Sequence, residues 1–235
     1  MNDAPDYAAA TARQQATWSE GDFSMVGAHI AFAAEQLAEA LQLMPGERVL
    51  DVACGSGNGA IAAARRSWVP TVGVDFVPAL LERGRERAAA ERLEVEFVEG
   101  DAQQLPFEDG AFDVAISLFG AMFAPNQERT AAELLRVTKQ GGRIGMANWS
   151  PEGAIGSMFV TVAKHTGGLP PGIAPPVLWG TADRLRELFG DGISELRIER
   201  MKARQTFRSP DHYIDFFRTY FGPIKSAYEA VGPAG

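Results

Sequence analysis

Apolar positions along the chain alternate between a helical period and short continuous runs, and this alternation organises the sequence. Val26, Ile30, Ala33, Leu37 and Leu41 fall at helical spacing. They predict an Ala-rich amphipathic helix, with Ser24 as N-cap, ending near Leu43 at the Pro45-Gly46 stop. Residues 48–53 (RVLDVA) then form a short apolar run, as expected of a strand covered on both faces in a parallel sheet. The unit repeats. Residues 71–76 (TVGVDF) predict a second strand, and Pro78 suits the first turn of a helix to about Arg92. Residues 94–99 (EVEFVE) alternate charged and apolar side chains, which predicts a third strand nearer the sheet edge. A fourth strand follows at 113–118 (DVAISL). The spacing next predicts a helix over 127–139 with Leu134, Leu135 and Val137 inward, closed by Gly141-Gly142, and a fifth strand over 143–149. Strands alternating with helices imply an α/β fold: a Rossmann-like, doubly wound, mostly parallel sheet with helices on both faces.

After Trp149 the alternation breaks. Residues 155–166 predict a helix with Ile155, Met158, Phe159 and Val162 on one face, followed by the stiff, Pro-rich run GGLPPGIAPPVLWG. Thr181 caps a short helix to Phe189, ended by Gly190. Residues 194–207 predict a sixth, long strand, and Ser209-Pro210-Asp211 opens a helix carrying Tyr213, Phe216, Phe217, Tyr220 and Phe221. These aromatics spread round the helix, so some are expected to face a cavity or a partner, and a homodimer could form through them. Residues 1–22 carry little periodicity and read as an arm or a short helix. The organisation is thus an arm and lid helix over 1–45, a nucleotide-binding core over 46–150, and a substrate lid with the rest of the same domain over 151–235. In the lid helix region, Trp18, Phe23 and Met25 are candidates for contact with a bound ligand, or equally for core packing.

At 235 residues the chain is long enough for one sizeable core. Its 46% hydrophobic and 22% charged residues set disorder aside. A formal net charge of -8 argues against nucleic acid as the main partner. The one dense basic run, 83–92, is interleaved with Glu82, Glu86 and Glu91, as on a solvated helix face. The single cysteine, Cys54, excludes an intramolecular disulfide framework and suits a reducing cytoplasm. Lying in a glycine turn with no His or Asn pattern beside it, it reads as a small residue lining a site rather than a nucleophile. The N-terminal stretch lacks a charged-then-apolar signal layout, and no run approaches the ~18 apolar residues of a spanning helix. A soluble cytoplasmic protein without a membrane partner is the expectation. No His/Cys/Asp cluster stands at metal-ligand spacing.

The candidate chemistry lies where the first strand meets its helix, in RVLDVACGSGNGAIAAA. Gly55, Gly57 and Gly59 permit positive φ and close approach of a ligand to the backbone, and the helix beginning near Asn58 offers unpaired amides. A G-x-G-x-x-A match alone would also fit a dinucleotide turn. Asp51, four positions before Gly55, would repel a pyrophosphate and favour a cationic amino group. Asp75, twenty positions beyond Gly55, has the spacing at which a carboxylate accepts from both ribose hydroxyls.

This apolar strand, acidic residue and G-x-G resemble the motif of class I S-adenosylmethionine (SAM)-dependent methyltransferases of the small-molecule type. The resemblance implies a methionyl group near Asp51, Ala53, Gly55, Gly57 and Asn58. It implies a ribose at Asp75 and Phe76, and an adenine at Asp101, Ala102 and Gln103. Ser117 and Leu118, with Phe119 next in sequence, would end beside the methyl group. The 105–113 loop and the LLRVTKQGGR stretch are similar to the family's as well. Where enzymes methylating adenine, cytosine or glutamine nitrogens resemble one another in an Asn/Asp-Pro-Pro-aromatic tetrad, this chain has Ser117-Leu118-Phe119-Gly120, which disfavours those substrates. The 150–180 insertion stands where the family builds its acceptor lid, so Met158, Phe159, His165 and Trp179 are the acceptor-side candidates. His165 is the candidate base, or a surface histidine favoured by a helix C-terminus. The family's sheet has a seventh, antiparallel strand beside the fifth, for which no sequence is evident, so either the chain continues past Gly235, the favoured expectation, or another chain completes the sheet edge.

The implied activity is methyl transfer from SAM to a small-molecule acceptor by in-line displacement. Proximity and orientation can supply roughly 7–11 kcal/mol of its acceleration, so the lack of an obvious base is no objection. Two other readings stand beside it. One is an NAD-dependent oxidoreductase, against which count Asp51 and the lack of a Tyr-x-x-x-Lys pair. The other is a non-catalytic SAM-binding sensor or partner subunit.

Overall fold

A computed structural model describes residues 4–232. Its sheet contains β1 (Val49–Val52), β2 (Thr71–Asp75), β3 (Val95–Glu99), β4 (Phe112–Leu118) and β5 (Thr138–Ala147). All neighbours are parallel, in the order β3-β2-β1-β4-β5. The two central apolar strands are buried at every position, whereas β3 alternates, as its edge place requires.

Nine helices are described: α1 (Tyr7–Ser19), α2 (Phe23–Ala40), α3 (Asn58–Ser67), α4 (Pro78–Ala90), α5 (Gln127–Val137), α6 (Ala154–Thr166), α7 (Ala182–Phe189), α8 (Pro210–Tyr220) and α9 (Gly222–Val231). Side-chain alternation along β1 decides which face each strand residue serves. Leu50 and Val52 pack with Leu134 of α5 and with Trp179 and Phe189 around α7. Val49 packs on the opposite face, with Ala34 and Ala38 of α2 and Ala62 and Ala63 of α3. A third apolar cluster joins α2, α6 and the aromatic α8 beside the sheet. No helix among the described residues is long and apolar enough to cross a membrane.

Several boundaries depart from those expected. Asp22 caps α2, its Oδ1 accepting from the Ser24 amide at 3.0 Å, so the helix starts before Ser24. Helix α5 ends at Val137, and Gly141-Gly142 lies inside β5, next to a register shift between Phe112 and Val114. The glycine pair therefore accommodates a bulge and does not cap the helix. The largest correction concerns 194–207. This stretch joins no strand among the described residues. Its last part, 203–207, alternates in burial, with Ala203, Gln205 and Phe207 half-buried and Arg204 and Thr206 exposed, whereas Ile198 and Met201 are exposed. Its alternation reflects one side lying against the protein, a pattern that ladder pairing shares but does not own. The N-terminal arm is helical: α1 is capped by Asp6, which accepts from the Ala9 amide at 2.9 Å.

Candidate active site

The strand order reverses between β1 and β4, the crevice where doubly wound sheets bind ligands. Both strands end in a left-handed residue, Ala53 (φ 53°) after β1 and Phe119 (φ 53°) after β4. The two turns interlock. A Cβ on Gly120 would stand 2.2 Å from the Ala53 carbonyl oxygen, so only glycine lets the second turn approach the first. Strained backbone of this kind is held where surrounding structure dictates it. Above these turns opens a cleft of about 900 Å³. Its floor is the glycine turn and Asn58, its far wall Asp75, Phe76 and the 100–103 segment, and its roof Trp18 and Phe23.

Of the residues singled out from sequence, Ala53, Gly55, Asn58, Asp75, Phe76, Asp101, Ala102, Gln103 and Leu118 all line this cleft. Cys54 lines it too, with burial pushing its thiol well above the ordinary value. Gly57, Ser117 and Asp51 lie behind the lining. Gly57 (φ 82°) makes room for Phe97, whose ring would stand 2.8 Å from an added Cβ. Ser117 donates to the Val52 carbonyl at 2.7 Å and accepts from the Ala121 amide at 2.9 Å, tying the β1 and β4 ends together.

Asp51 shares the face of Val49, so its side chain runs under α3, where it accepts from the Ala60 amide at 2.7 Å. It is 1% exposed, and its Oδ1 has no partner among the described residues. Burial, augmented by the nearby Asp75 charge, raises its pKa to about 7. The Asp75 carboxylate, 5% exposed, accepts from the Gly55 amide (2.8 Å) and the Val77 amide (2.9 Å), and burial lifts its pKa to about 6. A ligand in the cleft thus meets an acceptor-only group already oriented by two backbone donors. Asp101 accepts from the Gln103 amide at 2.9 Å and from its side chain at 3.0 Å.

Sequence reasoning missed the fastening of α1 across this cleft. Gln15 donates to the Phe76 carbonyl at 2.5 Å, and Gln103, already held by Asp101, donates to Thr11 at 2.8 Å. Helix α1 therefore spans the ends of β2 and β3 and carries Trp18 over the opening. There the indole packs edge-on against Phe23, Phe123 and Phe221 at 4.9–5.6 Å. Thr11 and Gln15 are ordinary polar helix residues, and nothing in the sequence marks them. Gln15→Ala should weaken binding of a ligand held in the cleft by about 1 kcal/mol, roughly fivefold. Calorimetry checks this, and affinity equal to the parent would show that the tie does not hold the lid.

A second, smaller cavity of about 360 Å³ adjoins the first and shares Trp18, Phe23, Ile30, Phe119 and Phe123 with it. Trp149, stacked on Phe119 with ring centroids 4.1 Å apart, and Val26, Ile155, Met158, Gln205, Phe217 and Phe221 build the rest. Trp18, Phe23 and Met158 line this cavity, and Phe159 stands behind it against Phe123, at 5.6 Å. The other acceptor-side expectations are corrected. His165 is exposed near the end of α6 and lines neither cavity. Trp179 is 0% exposed and packs against Phe189 in the core, because the Pro-rich run folds down over α5 instead of over the cleft. Met25 points outward, 41% exposed.

Carboxylates at the ends of β2 and β3, a glycine-rich turn at the switch point and an adjoining aromatic chamber form the candidate site of a doubly wound α/β protein. Residues 49–142 match the methyltransferase-domain family. Over 225 residues the chain is 39% identical to the uncharacterized protein Rv1403c of Mycobacterium tuberculosis, covering 95% of this chain and 81% of that one. It is 37% identical over 150 residues to the demethylmenaquinone methyltransferase of Thermus thermophilus, covering 61% of this chain and 68% of that one. A solved structure of a putative methyltransferase from Bacillus halodurans superposes with a TM-score of 0.50 at 32% identity, over 57% of this chain and 58% of that one. The chain belongs to the class I SAM-dependent methyltransferase family, which sets aside the NAD-dependent oxidoreductase reading.

Proposed function

We propose that the protein transfers a methyl group from SAM to a small-molecule acceptor seated in the aromatic cavity. The observation that carries this is the Asp75 carboxylate, held by the Gly55 and Val77 amides and facing a cleft that adjoins an apolar chamber. The donor groups present fit this cofactor. Asp75 accepts hydroxyl donors, and the Ala102 amide, unpaired among the described residues, can serve a purine nitrogen. Asp51 lies beneath the turn without entering the cleft.

Bound SAM supplies a methyl group already activated on a sulfonium. The chain's own work is then placement and exclusion of water. The interlocked Ala53 and Phe119 turns fix the floor, the stack of Phe119 on Trp149 forms a rigid wall between the two spaces, and Trp18 on the fastened α1 closes the roof. Such orientation lowers the barrier without an acid or base. Where the acceptor carries an O–H or N–H, its proton passes to water at the opening.

Calorimetry on the full chain should detect S-adenosylhomocysteine at micromolar levels, and turnover should follow with members of a panel of phenols, amines and quinols. The demethylmenaquinone methyltransferase relative is the reason for including quinols. Absence of S-adenosylhomocysteine binding by a folded sample overturns the reading. Binding with no turnover across the panel would favour a sensor or partner subunit instead.

A further inference from the structure

We infer that the acceptor is a neutral, planar aromatic molecule bearing a single hydrogen-bonding substituent, and that Gln205 is the residue that selects that substituent. The inference rests on the methyl-transfer reading for the word acceptor, but its physical basis is the smaller cavity alone.

That cavity is lined by seven aromatic residues and no charged side chain among the described residues. Flat rings gain most from such walls, because offset and edge-on ring contacts add to the area they bury. An ionised group would lose its hydration there with no countercharge in return, a cost that excludes charged ligands.

Among the lining side chains Gln205 alone ends in a group able both to donate and to accept. Its amide has no hydrogen-bond partner among the described residues, unlike Gln15 and Gln103, whose amides are taken up by the lid. The indole of Trp18 is already committed to Gln14 at 3.0 Å, which leaves the Trp149 N–H, a donor only, as the other polar group of the lining. Gln205 is also well held. Over 203–207 every second residue turns inward, and Phe207, two positions on, packs against Phe216, Phe217 and Tyr213 with centroids at 5.0–6.0 Å. A half-buried amide, fixed at the wall of an apolar chamber and unpaired, orients a ligand's one polar atom and penalises a ligand without it.

Three probes of one ring size separate these effects: naphthalene, 2-naphthol and 2-naphthoate, titrated at pH 7 against the quenching of Trp18 and Trp149 fluorescence. The expected order is 2-naphthol tightest, naphthalene roughly tenfold weaker, and 2-naphthoate weakest. In Gln205→Leu, 2-naphthol should fall to the level of naphthalene, whose own affinity stays within about twofold of the parent. Gln205→Asn, which keeps the amide, should retain part of the preference. Naphthoate binding as tightly as naphthol overturns the neutral-ligand claim. Equal weakening of all probes by Gln205→Leu reduces Gln205 to packing and overturns its selecting role. S-adenosylhomocysteine calorimetry on the same samples keeps the two readings apart. Normal naphthol selectivity without S-adenosylhomocysteine binding refutes methyl transfer and leaves the cavity's selectivity standing, whereas the reverse pattern refutes only the latter.

Discussion

Asp75→Ala should reduce affinity for S-adenosylhomocysteine roughly 100- to 1,000-fold, the loss of about 3–4 kcal/mol that two hydrogen bonds to an ionised carboxylate represent. The carboxylate lines the cleft and is aimed by the Gly55 and Val77 amides, so ribose hydroxyls would find it preorganised. Asp75→Asn distinguishes this from structural damage. The amide keeps an acceptor for one of the two backbone donors and removes a buried charge. Because burial lifts the Asp75 pKa to about 6, the ionised form is unfavourable to the empty fold at pH 7.5, and the Asn variant should melt at or above the parent temperature. Weaker binding with undiminished stability is the pattern of a functional group kept at a cost to the fold. An Asn variant that binds within threefold of the parent would show that the cofactor does not rest on Asp75.

The elements legible in the sequence were those whose burial is one-sided or complete. Strands β1, β2 and β4 were readable because continuous apolar runs bounded by glycine and carboxylate have few other uses in a fold of this size, and β3 by its charged and apolar alternation. The cleft was readable for a related reason: Asp75, Asp101 and the glycine turn sit at strand ends, and in a parallel sheet all strand ends lie on one side. Distance from a strand end does not tell which face a side chain serves, however. Asp51 was counted to the cleft, and alternation along β1 sends it under α3 instead. The second half resisted for want of a period. Proline-rich sequence carries none, so Trp179 could be placed equally in a lid or in the core, and the core won the largest apolar surface. The 194–207 segment showed the opposite trap, a true alternation with no strand to pair. Gln205 lay inside it, invisible until the aromatic helix α8 fixed which side faced inward.

Thermal stability of the empty protein should rise as pH falls from 7.5 to about 5, contrary to the usual behaviour of carboxylates. The cause is the pair Asp51 and Asp75, whose pKa values burial raises to about 7 and about 6 from an ordinary 3.8. Between 3.8 and 7 the folded chain therefore binds more protons at these sites than the unfolded chain, and the slope of unfolding free energy against pH is negative. Stability at these groups is gained on acidification and lost as pH climbs through 6 and 7. At about 1.4 kcal/mol for each pH unit separating folded from unfolded values, the gain is several kcal/mol, or roughly 5–10 °C in a chain of this size. Carboxylates held low by partners act in the reverse direction at lower pH. Arg136 lowers Glu133 and Lys139 lowers Asp113, and their contributions disappear only below about pH 4.5. Differential scanning calorimetry across pH 4 to 8 should accordingly show a maximum near pH 5. Asp51→Asn, which retains an acceptor for Ala60 but cannot titrate, should flatten the rise between pH 5 and 7.5, separating it from any general effect of reducing the net charge of -8. S-adenosylhomocysteine affinity should move the other way, falling about tenfold per pH unit below 6 as protonation of Asp75 competes with its ligand hydroxyls. A melting temperature that falls steadily from pH 7.5 to 5, or an Asp51→Asn variant with the parent's slope, would show that these carboxylates are not held in their neutral form by the fold. If stability and affinity instead diverge as expected, the two observations together assign Asp75 to ligand binding, since a group kept ionised against the preference of the empty fold needs a bound partner to stabilise its charge.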